Sequence, residues 1–438
     1  MKRIFLPLWF LVISSMAFSQ TGHLMQGAGA VNMSMGGAST AQPLDVTGAL
    51  QWNPASISSF DEKILKFDIG LFFSSPELSS TVPEFDETGT PTGRFFSGTT
   101  EDDRGVSPMP ALAMVWGNAD SRSTFGASAI GIAGFGVTFP ENMSNPINMP
   151  QEMGGFGRVE SSYLLMQIGA TWAYQLTDKF SVGVTPTFNY SSLSLTPNPT
   201  ANPTMAGYPS VDATSALGLG GQFGLFYGSD EGFKVGASYK TAQSFGDFEF
   251  DNTYLDNSTS ESTFNMDYPS ILSLGLGYST NNLDLAIDYR MVDYENTDGF
   301  SETGWSSTAS VVGFGWDNMS IISAGLQFKG IDKVPLRVGY TYSSNPISSV
   351  VAFFNVPATA IIKNAFQLGF SYLASDRVSL DAVYHYGTSD GQTSGQLLNP
   401  MFIGQFPPYG AIPGSEVAYD MTTSMVMVGV SYTFKASE

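Results

Sequence analysis

Stretches in which every second residue is apolar recur along the whole chain, and the connections between them are alternately very short and long. From Asn364 to Ala374, Phe366, Leu368, Phe370 and Tyr372 share one face, with Gln367, Gly369 and Ser371 on the other. Leu283, Leu285, Ile287 and Tyr289 oppose Asp284, Asp288 and Arg290. Met166, Ile168, Ala170, Trp172 and Tyr174 oppose Gln167, Thr171 and Gln175. Successive side chains of a strand point to opposite faces, so each stretch reads as a strand with one oily and one polar side. About fourteen begin, near residues 62, 109, 123, 161, 179, 215, 232, 266, 282, 318, 333, 363, 376 and 421. Turn-forming residues such as Ser229-Asp230-Glu231-Gly232 and Ser375-Asp376 close one end. At the other end the connections cover roughly 76–107, 134–159, 196–214, 246–264, 297–316, 346–361 and 390–419. An even strand number with short turns on one side and long loops on the other predicts an all-β, transmembrane antiparallel β-barrel. A secreted β-sandwich alternates as well, so the chain ends and the composition have to decide.

Both ends carry an address. Lys2 and Arg3 precede an apolar run from Ile4 to Ile13, and Ala17-Phe18-Ser19 offers the small residues of a cleavage site. Residues 1–19 therefore read as a signal peptide removed before Gln20, too short to span a bilayer. At the other end Gly429 to Phe434 alternates and closes on Tyr432 and Phe434, two aromatics on one face, where an interfacial girdle sits. That ending resembles the signal read by the barrel-assembly machinery of bacterial outer membranes. There is no Cys, hence no disulfide and no lipidated cysteine. Charged residues are 13%, about half the share usual in soluble domains. A net charge of −21 argues against a nucleic-acid partner. The expected location is the outer membrane of a Gram-negative bacterium.

Residues 20–60 do not fit a wall strand. Gly27-Ala28-Gly29-Ala30 and Met35-Gly36-Gly37-Ala38 are small and flexible, Thr47 to Gln51 suits a helix, and Trp52-Asn53-Pro54-Ala55 follows. This length suits a hatch (plug) folded into the lumen, with residues 61–438 as the barrel. A loose leader is the alternative, since termini are often untethered.

Several motifs, in their order and spacing, resemble the FadL/TodX family. Gly36-Gly37-Ala38 through Asn53-Pro54-Ala55 is similar to that family's N-terminal hatch with its Asn-Pro-Ala motif. Ser107-Pro108-Met109-Pro110-Ala111 resembles the opening of its second strand, and Phe125 to Pro140 its glycine-rich third strand. Pro269 to Gly275 and Leu336-Arg337-Val338-Gly339-Tyr340 look like two later strands. The resemblance implies a fourteen-stranded barrel that takes up long-chain fatty acids or other hydrophobic small molecules, some members taking aromatic hydrocarbons. It implies capture by extracellular loops, passage to a pocket above the hatch, and sideways exit at an inward kink of the third strand. On that pattern Gly131, Ala133, Gly134, Phe135 and Gly136 would form the lateral opening. Glycines within a strand mark a bulge or bend, although close packing against the hatch would also select them. The chain departs from the family in its loops, the one near 196–214 being Pro-rich and not obviously helical.

Residues able to do chemistry are few. His385 lies on the face of Asp381, but no nucleophilic Ser motif accompanies them, so a polar lumen pair is expected rather than an enzyme. Glu101-Asp102-Asp103 reads as a solvated charge run more readily than as a cation site. Lys234, Lys240, Arg290 and Arg337 point inward by parity. A fatty acid is an anion on an oily stem, so Lys240 and Arg290, in the outer halves of their strands, are candidates for its headgroup. They could equally pair with Asp284 or Asp288. No cofactor is expected. The expected partners are a fatty acid or hydrocarbon ligand, outer-membrane lipid and lipopolysaccharide, and the assembly machinery, with the protein acting as a monomer. A diffusion porin for polar solutes is the competing function; it should line its lumen with more charge.

Overall fold

The alternation closes into a barrel. In a computed structural model describing residues 22–86 and 91–434, fourteen strands form its wall. They are β1 (Lys63–Phe85), β2 (Val106–Trp116), β3 (Ser123–Phe139), β4 (Val159–Thr177), β5 (Phe180–Thr196), β6 (Ser210–Tyr227) and β7 (Gly232–Lys240). They continue as β8 (Ser270–Ser279), β9 (Leu283–Asp293), β10 (Met319–Phe328), β11 (Leu336–Ser343), β12 (Asn364–Leu373), β13 (Val378–Thr388) and β14 (Glu416–Phe434). Each wall strand begins within five residues of a position read from the sequence. The expected signal peptide lies outside the described residues.

Neighbours in sequence pair antiparallel, and β1 closes the ring on β14 from Lys63↔Phe434 to Thr81↔Glu416. Closure satisfies the backbone within the wall, which a bilayer requires. Outward residues such as Phe67, Leu71, Ile168, Leu219, Leu276, Ile287, Leu368 and Val428 are exposed. So many exposed apolar side chains would aggregate in water and instead make the lipid-facing belt. Tyr432 and Phe434 face outward together, their rings 4.8 Å apart.

The long connections carry structure of their own. Strand β1 runs on past the belt and pairs with Pro91–Glu101, and the β7–β8 connection holds the hairpin Phe248–Thr253 with Thr259–Phe264. Neither hairpin was anticipated, because above the membrane neither face must be apolar and the alternation fades.

Residues 22–60 lie inside the barrel. Helix α1 (Gly29–Ser34), helix α2 (Val46–Trp52) and the 3-10 turn Pro54–Ser59 are buried almost throughout. The wall leaves room for them with inward-facing glycines. A Cβ on Gly183 would stand 2.4 Å from Ala55 N, and one on Gly236 2.0 Å from Thr40 O. Gly325 and Gly339 meet Met35 and Gly36 in the same way, so the hatch backbone rests directly on the strands.

Candidate functional site

The hatch is held by two buried wall carboxylates that accept from its backbone. Asp288 Oδ2 receives Ser39 N at 2.8 Å, Thr40 N at 2.9 Å and Thr40 Oγ1 at 2.8 Å. Asp68 Oδ1 receives Ala30 N at 2.9 Å, and Asp68 Oδ2 receives Thr47 Oγ1 at 3.2 Å. Lys66 ties Asp45 of the hatch (3.2 Å) to Asp381 of β13 (2.6 Å). Asn53 is the knot of the Asn53-Pro54-Ala55 motif. Its amide donates to Thr40 O at 2.7 Å and to Leu225 O of β6 at 3.0 Å, and its carbonyl accepts from Ala55 N at 3.1 Å. Asn thus caps the turn that Pro54 opens, as its side chain and the fixed proline φ favour.

These anchors settle where several candidates sit. Arg290 is buried beneath the hatch, bonded to Asp288 at 2.8 Å and to Gly37 O at 2.6 Å, with its guanidinium 3.7 Å from the centre of the Trp52 ring. Lys240 is equally buried, but its ammonium donates to the neutral Gln167 Oε1 at 2.9 Å and joins no ion pair among the described residues. Arg337 bonds Gln327 and Ser371, and Lys234 bonds Ser279. Asp381, expected to share a polar lumen face with His385, takes Lys66, and His385 meets Gln367 at 3.0 Å. Asp102 caps backbone, accepting from Arg104 N and Thr138 N.

Strand β3 leaves the regular wall. It pairs with β2 only from Trp116↔Phe125 to Ala111↔Ile130, whereas with β4 it stays paired to Phe139↔Val159. The register on β4 shifts between Gly131 and Ala133, a bulge at Ile132. Beyond it the alternation of exposure ends and Gly131 to Phe135 are all buried. The inner side of the bulge is paired by the hatch: Met25 N donates to Ile132 O at 3.0 Å and Gly134 N to His23 O at 2.9 Å, with Leu24 opposite Ala133. Between β2 and β3 lies a cavity of about 190 Å³, lined by Phe72, Ser107, Met109, Gly134, Phe135 and Tyr163 among others. On its β2 side stands Pro108, and next to the cavity Pro110 turns its carbonyl oxygen and ring Cδ towards Gly131. The glycines are unequal. A Cβ on Gly131 would make ordinary contacts at 3.6 Å, on Gly134 a tight one at 2.9 Å to Tyr163 O, and on Gly136 a collision at 2.0 Å with Arg104.

An oily row of small cavities and packed rings leads inward from the loops. Two small cavities of about 40 and 20 Å³ share Pro199, Val311, Phe354 and Pro357 as lining. The inner one reaches Phe314, whose ring stands 5.9 Å from Phe135 and 5.4 Å from Phe300. Phe135 in turn stacks at 5.0 Å on Tyr163, and both line the cavity between β2 and β3. His23 completes this aromatic box, stacked 4.9 Å from Phe300 and bonded through Nδ1 to Tyr294 Oη at 2.8 Å. Burial depresses its pKa to about 3, so the ring stays neutral. The box gathers one hatch residue, two wall strands and one loop, and no local pattern in the sequence announces it.

A closed barrel with a lipid-facing belt, a lumen filled by an anchored hatch and an oily row of cavities and rings in from the loops defines an outer-membrane transport protein, distinct from an open pore. The profile of the outer membrane protein transport protein family (OMPP1/FadL/TodX) matches residues 11–435, and the chain belongs to that family. None of the curated proteins matches the chain in sequence. Among solved structures it resembles the toluene transporter TodX of P. putida, with 17% identity, a TM-score of 0.67, and 94% of this chain and 100% of that one covered. A FadL homologue of Pseudomonas aeruginosa gives 14% identity and a TM-score of 0.71 over 94% of this chain and 100% of its own. The Ralstonia pickettii toluene transporter TbuX gives 16% and 0.63, over 94% and 99%. At such identities the likeness is one of fold.

Proposed function

We propose that this protein carries long-chain fatty acids and similar hydrophobic molecules across the outer membrane, and releases them sideways between β2 and β3. What supports the reading is a row of apolar cavities and buried rings, from Pro199 and Val311 among the loops through Phe314 and Phe135 to the stretch where β2 and β3 are unpaired, above a hatch that fills the lumen. A chain leaving through the periplasmic side would expose its methylenes to water at about 0.8 kcal/mol each. Exit into the bilayer avoids that cost. The porin reading has no comparable support, since the lumen is occupied.

Within this reading Lys240 is the better headgroup partner. Arg290 already has a carboxylate and a hatch carbonyl, and drawing it away would unseat the hatch. Lys240 is a buried ammonium with a neutral partner, a costly state that a ligand carboxylate would relieve. Gln167, its present partner, shares the lumen face of β4 with Tyr163 of the aromatic box. Protein purified in mild detergent should therefore yield fatty acids on lipid extraction and mass spectrometry. Lys240→Gln should weaken fatty-acid binding by about 1.5–3 kcal/mol, the range for a hydrogen bond to a charged group. Neutral hydrocarbons should bind this variant as well as wild type. Extracts free of fatty acids and hydrocarbons would overturn the function, and unchanged affinity in the variant would remove Lys240 from it.

A further inference from the structure

Arg104 stands at the upper edge of the gap, in the four-residue link between Pro91–Glu101 and β2. Its side chain does not return to its own strand. It crosses β3 and donates from Nη1 to Ser161 O at 2.6 Å and from Nη2 to Ser162 Oγ at 3.0 Å, both on β4. The crossing is possible because position 136 is a glycine, where any Cβ would fall 2.0 Å from Nη1. The guanidinium lines the cavity between β2 and β3. Above it the gap is closed by Asp103 N donating to Thr138 O at 2.8 Å, and below it by the Ala111↔Ile130 pair. Both groups that hold the guanidinium are neutral. Asp102 uses its carboxylate on backbone amides, Glu160 is bonded to Arg158 at 2.7 Å, and Arg104 makes no ion pair among the described residues.

We propose that Arg104 is a charge-selective crossbar of this gap, slowing neutral ligands and passing carboxylates by transferring its two hydrogen bonds from β4 to the departing headgroup. The proposal rests on sideways release as argued above. A guanidinium presents two parallel N–H groups in the geometry of a carboxylate, and such charge-assisted bonds are stronger than those to a carbonyl and a hydroxyl. An acid therefore gains at the gap what the β4 groups lose. It also crosses an apolar passage with its charge partnered, which an unpaired carboxylate could do only at large cost. An alcohol or hydrocarbon offers no such exchange, and for it the arm is an obstacle.

The test compares oleate with oleyl alcohol, at about pH 8.5 so that the carboxyl is ionised. Initial uptake is measured in a Gram-negative strain that lacks its own transporter of this kind. Folding of each variant is confirmed by its faster gel migration before boiling than after. Arg104→Ala should lower oleate uptake and raise oleyl alcohol uptake, each by about tenfold, the order set by one hydrogen bond to a charged group. Gly136→Ala puts a methyl into the seat of the arm, against Nη1 and 2.6 Å from the Ser161 O that the arm holds, without removing its charge; it should raise alcohol uptake and leave oleate uptake near wild type. A purely structural role would move both ligands in the same direction. If the two move together in Arg104→Ala, or if neither moves, the crossbar is overturned. Ser107→Trp, which fills the gap from β2, separates the premises. If it blocks both ligands while Arg104→Ala changes nothing, sideways release stands and the crossbar alone falls; if both ligands pass it freely, sideways release falls as well.

Discussion

Ser107→Trp should reduce initial uptake of a long-chain fatty acid at least about tenfold, a change that an added barrier of only 1.36 kcal/mol would produce. Ser107 projects into the cavity between β2 and β3 from the β2 side, beside Met109 and opposite Gly134. Filling the gap from the other side is less clean. Val at Gly134 meets the β4 backbone at Tyr163 O, and Val at Gly131 has room and would block little. The heat-dependent gel shift should be unchanged in Ser107→Trp, and so should headgroup binding at Lys240, which does not line the cavity that the indole fills. Full uptake by a correctly folded variant would mean that ligands leave by another way.

The second large effect is expected from removing the hatch. Deleting residues 22–50 takes away every backbone amide that Asp68 and Asp288 hold, together with Asp45. The inward glycines of β7, β10 and β11 would then lose the hatch backbone they rest on, and a barrel of this strand number has a lumen wide enough for water. Small-solute leakage from liposomes should rise from the protein-free background to that of an open pore. The wall should still form, since its pairing is independent of the hatch apart from the bonds at Ile132 and Gly134. Leakage that stays at the wild-type level would show that the segment does not seal the lumen.

How much of this could be read from the residues depends on the range of the forces. The strands were legible because lipid on one side and lumen on the other impose alternation on each strand separately, as in Phe366 to Tyr372. The kink was legible as a cluster of glycines. Which glycine seats the arm at the gap was not, because the atom nearest a Cβ at Gly136 belongs to Arg104, thirty-two residues earlier. Parity turned Arg290 and Lys240 inward and left open what each meets there. Arg290 turned out to share Asp288 with a hatch more than two hundred residues away in sequence, while Lys240 found only an amide. Asn53 read as a capping residue, which it is, but its second bond, to Leu225 O, belongs to the packing of the whole molecule.

The two prolines beside the gap bear on a hazard that closure otherwise removes. Where β3 withdraws, Val106 to Pro110 becomes an edge within the membrane, and a free edge offers backbone N–H groups to any extended chain that can reach it. In lipid an unanswered N–H is also expensive in itself. Pro108 and Pro110 share parity along β2, and the ring Cδ of Pro110, bonded to its own nitrogen, is turned towards Gly131. On that side the edge therefore presents methylenes where another residue would present donors. A second barrel, or a stray strand from a protein still inserting, finds no template there. On the sideways release proposed above, the wall would pass small oily molecules and still be closed to polypeptide.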